Sequence, residues 1–361
     1  MTREEIREKA IKSYQYGKNV VLNLATGMGK TSIAIAILDG SPVRKLILVS
    51  ETAHINLWEE EIEKYGRDFC NYKIVCYASL EKEIWNRYGV VIADECHHLS
   101  AKRRKLLAKM KKGNPDMRFI GLSATIMDDK LKEIFPIFSG INIIRNDLAT
   151  SISEKIIAKP EINVIHLDMT PKEREISKNY DAAIERLKLE IDMEPDSIRK
   201  EKITDRLKRT GLQRKLFLGE SKTEKVRDFL SGMENRRHIV FCSSIEQCNA
   251  LDDDFNAAMH SKIRKPQQKI RDFNKHERDK LYVVGMLQEG VNLKDTDHGV
   301  IIQLPANRQQ QLQIVGRLLR SKHPSIHIFC YKDTADETFL NRLKKELKNV
   351  NFNIYENEKK M

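Results

Sequence analysis

The chain has 361 residues, 40% of them hydrophobic, which is enough for two packed cores and excludes disorder as its main state. Charged residues reach 32%, and 64 Lys plus Arg against 52 Asp plus Glu leave a formal charge of +12, which points to a polyanionic partner without saying where the excess lies. No run approaches the roughly 18 apolar residues of a membrane span, and the six cysteines form no C-x-x-C pair, so a membrane protein and a zinc-thiolate domain are excluded and reduced thiols in a soluble cytoplasmic protein are expected.

Met1 to Lys12 is charged and lacks the apolar stretch of a signal peptide. The run Val20 to Leu24 reads as a buried strand, and after it come Ala25-Thr26-Gly27-Met28-Gly29-Lys30-Thr31 and the helical Ser32 to Leu38. Strand, glycine loop, Lys-Thr and helix in this order are the setting of a phosphate-binding P-loop. Gly27 and Gly29 let the backbone wrap tightly, so that N–H groups from Thr26, Met28 and the helix start point at phosphate oxygens. Lys30 neutralises the outer phosphates, and the Thr31 hydroxyl ligates Mg²⁺.

Lys45 to Val49, Ile74 to Tyr77 and Val90 to Ala93 read as further buried strands. The last leads into Asp94-Glu95, which supplies what a triphosphatase needs beside its P-loop: Asp94 to hold the metal with Thr31, and Glu95 to activate water. Ala101 to Pro115 carries seven basic residues and no acidic one, and Phe119 to Leu122 closes the first series of strands.

From about Asn142 to Asp168 the text is mixed and punctuated by Lys159-Pro160 and Thr170-Pro171, which sets a domain border near 150, with domains expected over 1–150 and 151–361. A charged helical insertion spans about 172–227: Ile176, Tyr180, Ile184, Leu187 and Ile191 form one apolar stripe, and Glu194-Pro195-Asp196 is a turn between two helices. Within it, Ser197 to Arg227 holds eleven basic and four acidic residues; with Ala101 to Pro115 it accounts for the whole positive excess. The strand pattern restarts at His238 to Phe241, Lys280 to Val284, Val300 to Gln303 and Ile326 to Tyr331. The expected fold is α/β, two tandem domains, each a mostly parallel sheet flanked by helices.

Asp94-Glu95-Cys96-His97 resembles the DEAD/DEAH-type box of superfamily 2 helicases, and further motifs of that family follow in order over about 300 residues. Ser123-Ala124-Thr125 is similar to its coupling motif, Val283 to Leu293 to its fifth motif, and Gln313-x-x-Gly316-Arg317-x-x-Arg320 to its sixth. Asp-Glu-Cys-His-His, Glu-Gly-Val-Asn-Leu and the compact size resemble the branch that holds type III restriction, branch-migration and phage recombination helicases.

The resemblance implies RecA-like domains, ATP with Mg²⁺, and a nucleic-acid partner, DNA in preference to RNA. It implies that Gln313, Arg317 and Arg320 serve the γ-phosphate from the second domain, that His97 links the carboxylate box to that domain, and that Ser123 and Thr125 couple hydrolysis to movement. Nucleic-acid contacts are expected near Thr52, Ser79, Gly290 and Asn292, with Ser50, Ser243 and Ser244 as further candidates, while Trp58 and Trp85 read as core or interface residues rather than base-stacking ones. Arg199, Lys202, Arg206, Lys208 and Arg209 are expected to track a phosphate backbone. One departure stands out: Arg7 occupies the place of the glutamine with which the family reads adenine. The function implied is an ATP-dependent helicase or translocase; the alternatives are an RNA helicase and a nucleotide-dependent clamp or assembly subunit working with protein partners.

Overall fold

The computed structural model describes residues 1–66, 69–84, 86–124, 126, 128–233, 236–252, 257–260, 262–263, 266–285, 293, 296–319 and 321–356. The chain divides into two compact units, Met1–Ile157 and Ala158–Met361.

The first unit has β1 (Asn19–Leu24), β2 (Lys45–Val49), β3 (Tyr72–Cys76), β4 (Val90–Ala93), β5 (Arg118–Ser123) and β6 (Ile141–Asn146), all parallel, in the order β3-β2-β4-β5-β1-β6. Its helices are α1 (Arg3–Gln15), α2 (Lys30–Leu38), α3 (Ala53–Tyr65), α4 (Ala101–Gly113), α5 (Asp128–Ile134) and α6 (Leu148–Ser153). Every residue of β2 and β4 is buried, which is why those strands read as continuous apolar runs rather than as alternation. Parallel register brings the carboxyl ends of β1, β5 and β4 together: Asn23 lies beside Ser123, and Ala93 beside Gly121. The loops that leave these ends share one edge of the sheet, where open α/β sheets place their ligands.

The second unit has β7 (Glu161–Leu167), β8 (His238–Phe241), β9 (Ala258–Met259), β10 (Lys280–Val283), β11 (His298–Ile301), β12 (Ser325–Tyr331) and β13 (Phe352–Glu356), again all parallel, in the order β13-β7-β12-β11-β8-β10-β9. Around them lie α7 (Pro171–Met193), α8 (Ser197–Glu220), α9 (Thr223–Ser231), α10 (Ile245–Leu251), α11 (Pro266–Asn274), α12 (Arg308–Leu318) and α13 (Ala335–Glu346). β6 and β7 both fall in the stretch that reads as mixed in the sequence. β6 is an edge strand with polar residues at Asn142, Arg145 and Asn146, and the apolar run of β7 sits directly behind Pro160.

Two long helices, α7 and α8, form an antiparallel hairpin. A capping box of Thr170 and Glu173 with Pro171 starts α7, and the Asp196 side chain caps α8. The pair is held by Tyr180 against Phe217, ring centroids 5.9 Å apart and within the roughly 4.5–7 Å usual for aromatic pairs, and by Arg214 to Asp181 at 2.5 Å. Directly after α8, Lys222 is fully buried; its ammonium donates to Ile302 O, Gln303 Oε1, Phe329 O and Asp336 Oδ2, fastening the insertion to the ends of β11 and β12.

At the amino edge of the second sheet, Arg236 donates to His298 Nε2 (3.3 Å), so His298 carries its proton on Nδ1 and donates it to His327 Nε2 (3.2 Å). Burial, then His298 and Arg236, push the His327 imidazole down to about 3. The folded state therefore stays neutral where the unfolded chain takes up a proton, and stability is lost as the pH falls below about 6.5. Urea unfolding should show the chain losing about 2 kcal/mol to this residue between pH 6.5 and 5, and His327→Gln should remove that part of the acid dependence.

Candidate nucleotide site

Gly27 and Gly29 hold φ angles of 86° and 78°, in the left-handed region that a side chain would strain. Gly29 occupies the cap position of α2 and has no side chain to cap it, so the N–H groups of the first turn are left for an anion. Lys30 opens α2 with its ammonium folded back on Leu24 O at 3.1 Å, and Thr31 is half-buried beside it. Thr26 and Met28 complete the loop; Met28 is buried and its sulfur accepts from the Ser151 hydroxyl at 3.6 Å.

Across from this loop, at the end of β4, the Asp94 carboxylate accepts from the Trp58 indole N–H (2.8 Å) and from the Glu95 backbone N–H (3.0 Å), while the Tyr77 hydroxyl donates to Asp94 O (2.8 Å). Burial, then the neighbouring Glu95, raise the Asp94 carboxyl above its ordinary range; the Trp58 hydrogen bond and the charge of Lys30 pull the other way. The attraction between Lys30 and Asp94 brings the P-loop and the carboxylate box into one electrostatic site. Glu95 is held at φ 47°, an unusual conformation for a non-glycine residue. Its Oε2 lies 3.4 Å from His97 Nδ1, which also faces Ser123 Oγ at 3.2 Å, so the carboxylate box and the end of β5 are joined through one imidazole. Asn23 clamps the chain beyond Ser123 by exchanging two hydrogen bonds with Ile126, 3.2 and 3.3 Å.

Trp58, Tyr77 and Asn23 are the residues that sequence reading missed here. Trp58 lies 36 positions from Asp94, and no local spacing links them; the helical burial of Trp58 among polar neighbours on α3 was the only signal.

Thr52 is exposed and Ser79 half-buried; they follow the carboxyl ends of the paired strands β2 and β3, and Thr52 Oγ1 lies 3.7 Å from Cys76 Sγ. Ser50 Oγ meets His54 Nδ1 at 3.0 Å. Ser243 and Ser244 are engaged locally, Ser244 capping α10 and Ser243 donating to Gln247 Oε1. Gln313 and Arg317, four residues apart, share one side of α12 and are buried. Thr125, Gly290, Asn292, Arg320 and Trp85 lie outside the described residues.

The two basic segments differ. On α4, Arg103 and Arg104 donate to His98 O and Leu99 O, Lys111 to Pro115 O and Met117 O, and Lys102 pairs with Glu81, so most of that charge secures the helix and its flanks. On α8, Arg199, Lys202, Arg206 and Arg209 are all exposed at spacings of three, four and three, one stripe along the helix. Lys208 points off that stripe and pairs with Asp205 at 3.0 Å, and Arg206 reaches Glu190 of α7 at 3.7 Å. Among the described residues no ion pair engages Arg199, Lys202 or Arg209.

Comparison with known proteins agrees with this layout. Residues 2–128 match the family of type III restriction enzyme res subunits, and residues 221–322 match the helicase conserved C-terminal domain. A DNA 3'-5' translocase, XPB2, of Sulfurisphaera tokodaii is 26% identical over 351 residues, covering 88% of this chain and 78% of the relative. Saccharomyces cerevisiae Dbp5, solved bound to RNA and ADP BeF3, superposes with a TM-score of 0.65 at 13% identity over 98% of this chain and 90% of its own. The Hef helicase domain of Pyrococcus furiosus gives 0.56 at 15% identity, over 95% and 97%. These two share the fold, two RecA-like units with parallel sheets. With the motif order and both family matches, the chain belongs to superfamily 2 of the helicases and is a nucleoside-triphosphate-hydrolysing enzyme.

Proposed function

We propose that the chain is an ATP-dependent DNA translocase or helicase, in which Lys30, Thr31, Asp94 and Glu95 carry out hydrolysis and α8 grips the nucleic-acid backbone. The observation that carries the chemistry is the buried Asp94, fixed by Trp58 and facing Lys30 across the glycine loop. DNA is favoured over RNA because the translocase relative matches most of this chain's length.

The residues present fit a Mg²⁺-bound triphosphate. The loop's left-handed glycines and the uncapped α2 form an anion cradle, and a buried carboxylate with a raised proton affinity lies opposite, suited to a divalent cation. Thr31 and Asp94 are the residues that would hold the ion. When bound, Mg²⁺ supplies positive charge for the phosphate oxygens. Lys30 holds the outer phosphates, and Glu95 orients the attacking water and accepts its proton. His97, touching both Glu95 and Ser123, passes the state of the carboxylate box to the end of β5.

Trp58→Phe keeps an aromatic side chain, though a smaller one, and deletes the N–H to a carboxylate, an interaction of about 1.5–3 kcal/mol. The Mg²⁺ concentration for half-maximal ATPase activity should rise about tenfold or more, and a change below twofold would show that Trp58 does not position Asp94. The whole reading is tested by ATPase assays with single-stranded, duplex and forked DNA and matching RNA.

A second reading, an assembly subunit or clamp that grips nucleic acid without moving, is separated by a fork-unwinding assay beside a binding assay. Nucleotide-sensitive binding with neither unwinding nor translocation would favour the clamp.

A further inference from the structure

Ser243, which the sequence offers as a nucleic-acid contact, faces the foot of α8 instead. Gln247 of α10 is buried and uses its full hydrogen-bonding capacity on that joint. Its Oε1 accepts from the Ser243 backbone N–H (2.8 Å) and the Ser243 hydroxyl (2.7 Å). Its Nε2 donates to Gly219 O in the last turn of α8 (2.7 Å) and to Thr223 Oγ1 at the start of α9 (3.1 Å). A Cβ on Gly219 would lie 2.1 Å from Ser243 Oγ and 2.4 Å from Ser243 Cβ, so the helix and the loop after β8 meet with no room between them. Just beyond, the Tyr331 hydroxyl donates to Ser221 O (3.1 Å), and the buried Lys222 donates to Ile302 O and Phe329 O.

The foot of α8 is thus fixed to the second sheet from several sides, while its exposed basic stripe lies far along the helix. A rise of about 1.5 Å per residue puts Arg199 about 30 Å from Gly219. Phosphates follow one another by about 3.4 Å along each strand of a duplex, so a tilt of about 7° at the foot carries Arg199 past a whole step. Arg199, Lys202, Arg206 and Arg209 can keep their phosphates together only if the foot holds its angle.

We propose that Gln247 is a positioning residue for nucleic-acid binding: with the Gly219–Ser243 contact it locks α8 to the loop after β8, so that the hairpin moves as one body with the second sheet. The inference rests on the reading of α8 as the backbone grip and deepens it by naming what keeps the grip in register.

The test is fluorescence anisotropy of labelled forked DNA with the full chain over a range of salt, beside ATP hydrolysis without nucleic acid. In Gly219→Ala the new methyl must move about 1 Å from Ser243, and with Lys222 pinned about 4.5 Å further along, α8 tilts by roughly 10°. Affinity should fall about tenfold or more at low salt and the slope of log affinity against log salt should drop in magnitude by about 2, as the far end of the stripe leaves its phosphates, while basal hydrolysis stays within about twofold of wild type. Gln247→Leu, which cuts the four hydrogen bonds without adding bulk, should lower affinity and slope in the same direction. Ser243→Gly added to Gly219→Ala removes both clashing atoms, leaves Gln303 Cβ at 3.4 Å, and should restore affinity to within about threefold of wild type. Simple loss of folded protein would instead lower basal hydrolysis and leave Kd and slope unmoved. That result, wild-type affinity and slope in Gln247→Leu, or no rescue by Ser243→Gly would overturn the proposal and leave the grip standing. If reversing Arg199, Lys202, Arg206 and Arg209 to Glu leaves affinity unchanged, the grip itself is refuted and Gln247 loses this role with it.

Discussion

Lys30→Ala and Glu95→Gln should each reduce nucleic-acid-stimulated ATP hydrolysis by more than about a hundredfold, by different routes. Lys30 is the one side chain of the loop whose charge both meets phosphate and offsets Asp94, so its loss should weaken nucleotide binding and raise the Asp94 proton affinity further, since a counter-charge is gone. Glu95→Gln keeps the shape of the side chain and removes only its ability to take a proton. That variant should still bind ATP and, in the presence of ATP, hold nucleic acid, because the cycle stops before bond cleavage. Filter binding beside a phosphate-release assay distinguishes the two. Residual hydrolysis above about a hundredth of wild type in both would contradict the roles assigned.

Reversing Arg199, Lys202, Arg206 and Arg209 to Glu should weaken DNA binding by more than about thirtyfold at low salt and flatten its salt dependence. If each of the four neutralises one phosphate, the slope of log affinity against log salt should fall in magnitude by about 3 to 4. Lys208→Glu is the internal comparison, since that residue stands off the stripe and pairs with Asp205; it should leave the slope within error. An unchanged affinity and slope in the fourfold variant would make α8 a solvated face, and the anchoring of the hairpin by Lys222 a purely structural matter.

The site was far more legible in the sequence than the wall around it. Strands such as Lys45–Val49 and Val90–Ala93 appear at their observed bounds because a strand buried on both faces must be apolar throughout, and a glycine loop with Lys-Thr behind such a strand has few other uses. The edge strands Ile141–Asn146 and Phe352–Glu356 did not appear, since an edge tolerates the polar residues that hide the pattern. Charge counts do not show use: the Ala101 segment is the more one-sided of the two, with seven basic residues and no acidic one, yet Arg103, Arg104 and Lys111 are bonded to backbone carbonyls of their own surroundings. The Trp58–Asp94 bond joins residues 36 positions apart that only the fold of the first sheet brings together, and no spacing rule reaches it.

The central claim, that hydrolysis at Asp94 and Glu95 drives movement on DNA, is tested most directly by steady-state ATPase rates of the wild-type chain with single-stranded, duplex and forked DNA and with RNA of the same sequences. The account predicts at least about tenfold stimulation by one or more of the DNA forms and a smaller effect of RNA. Stimulation by RNA alone would overturn the substrate, and a rate indifferent to every nucleic acid would contradict the motor itself.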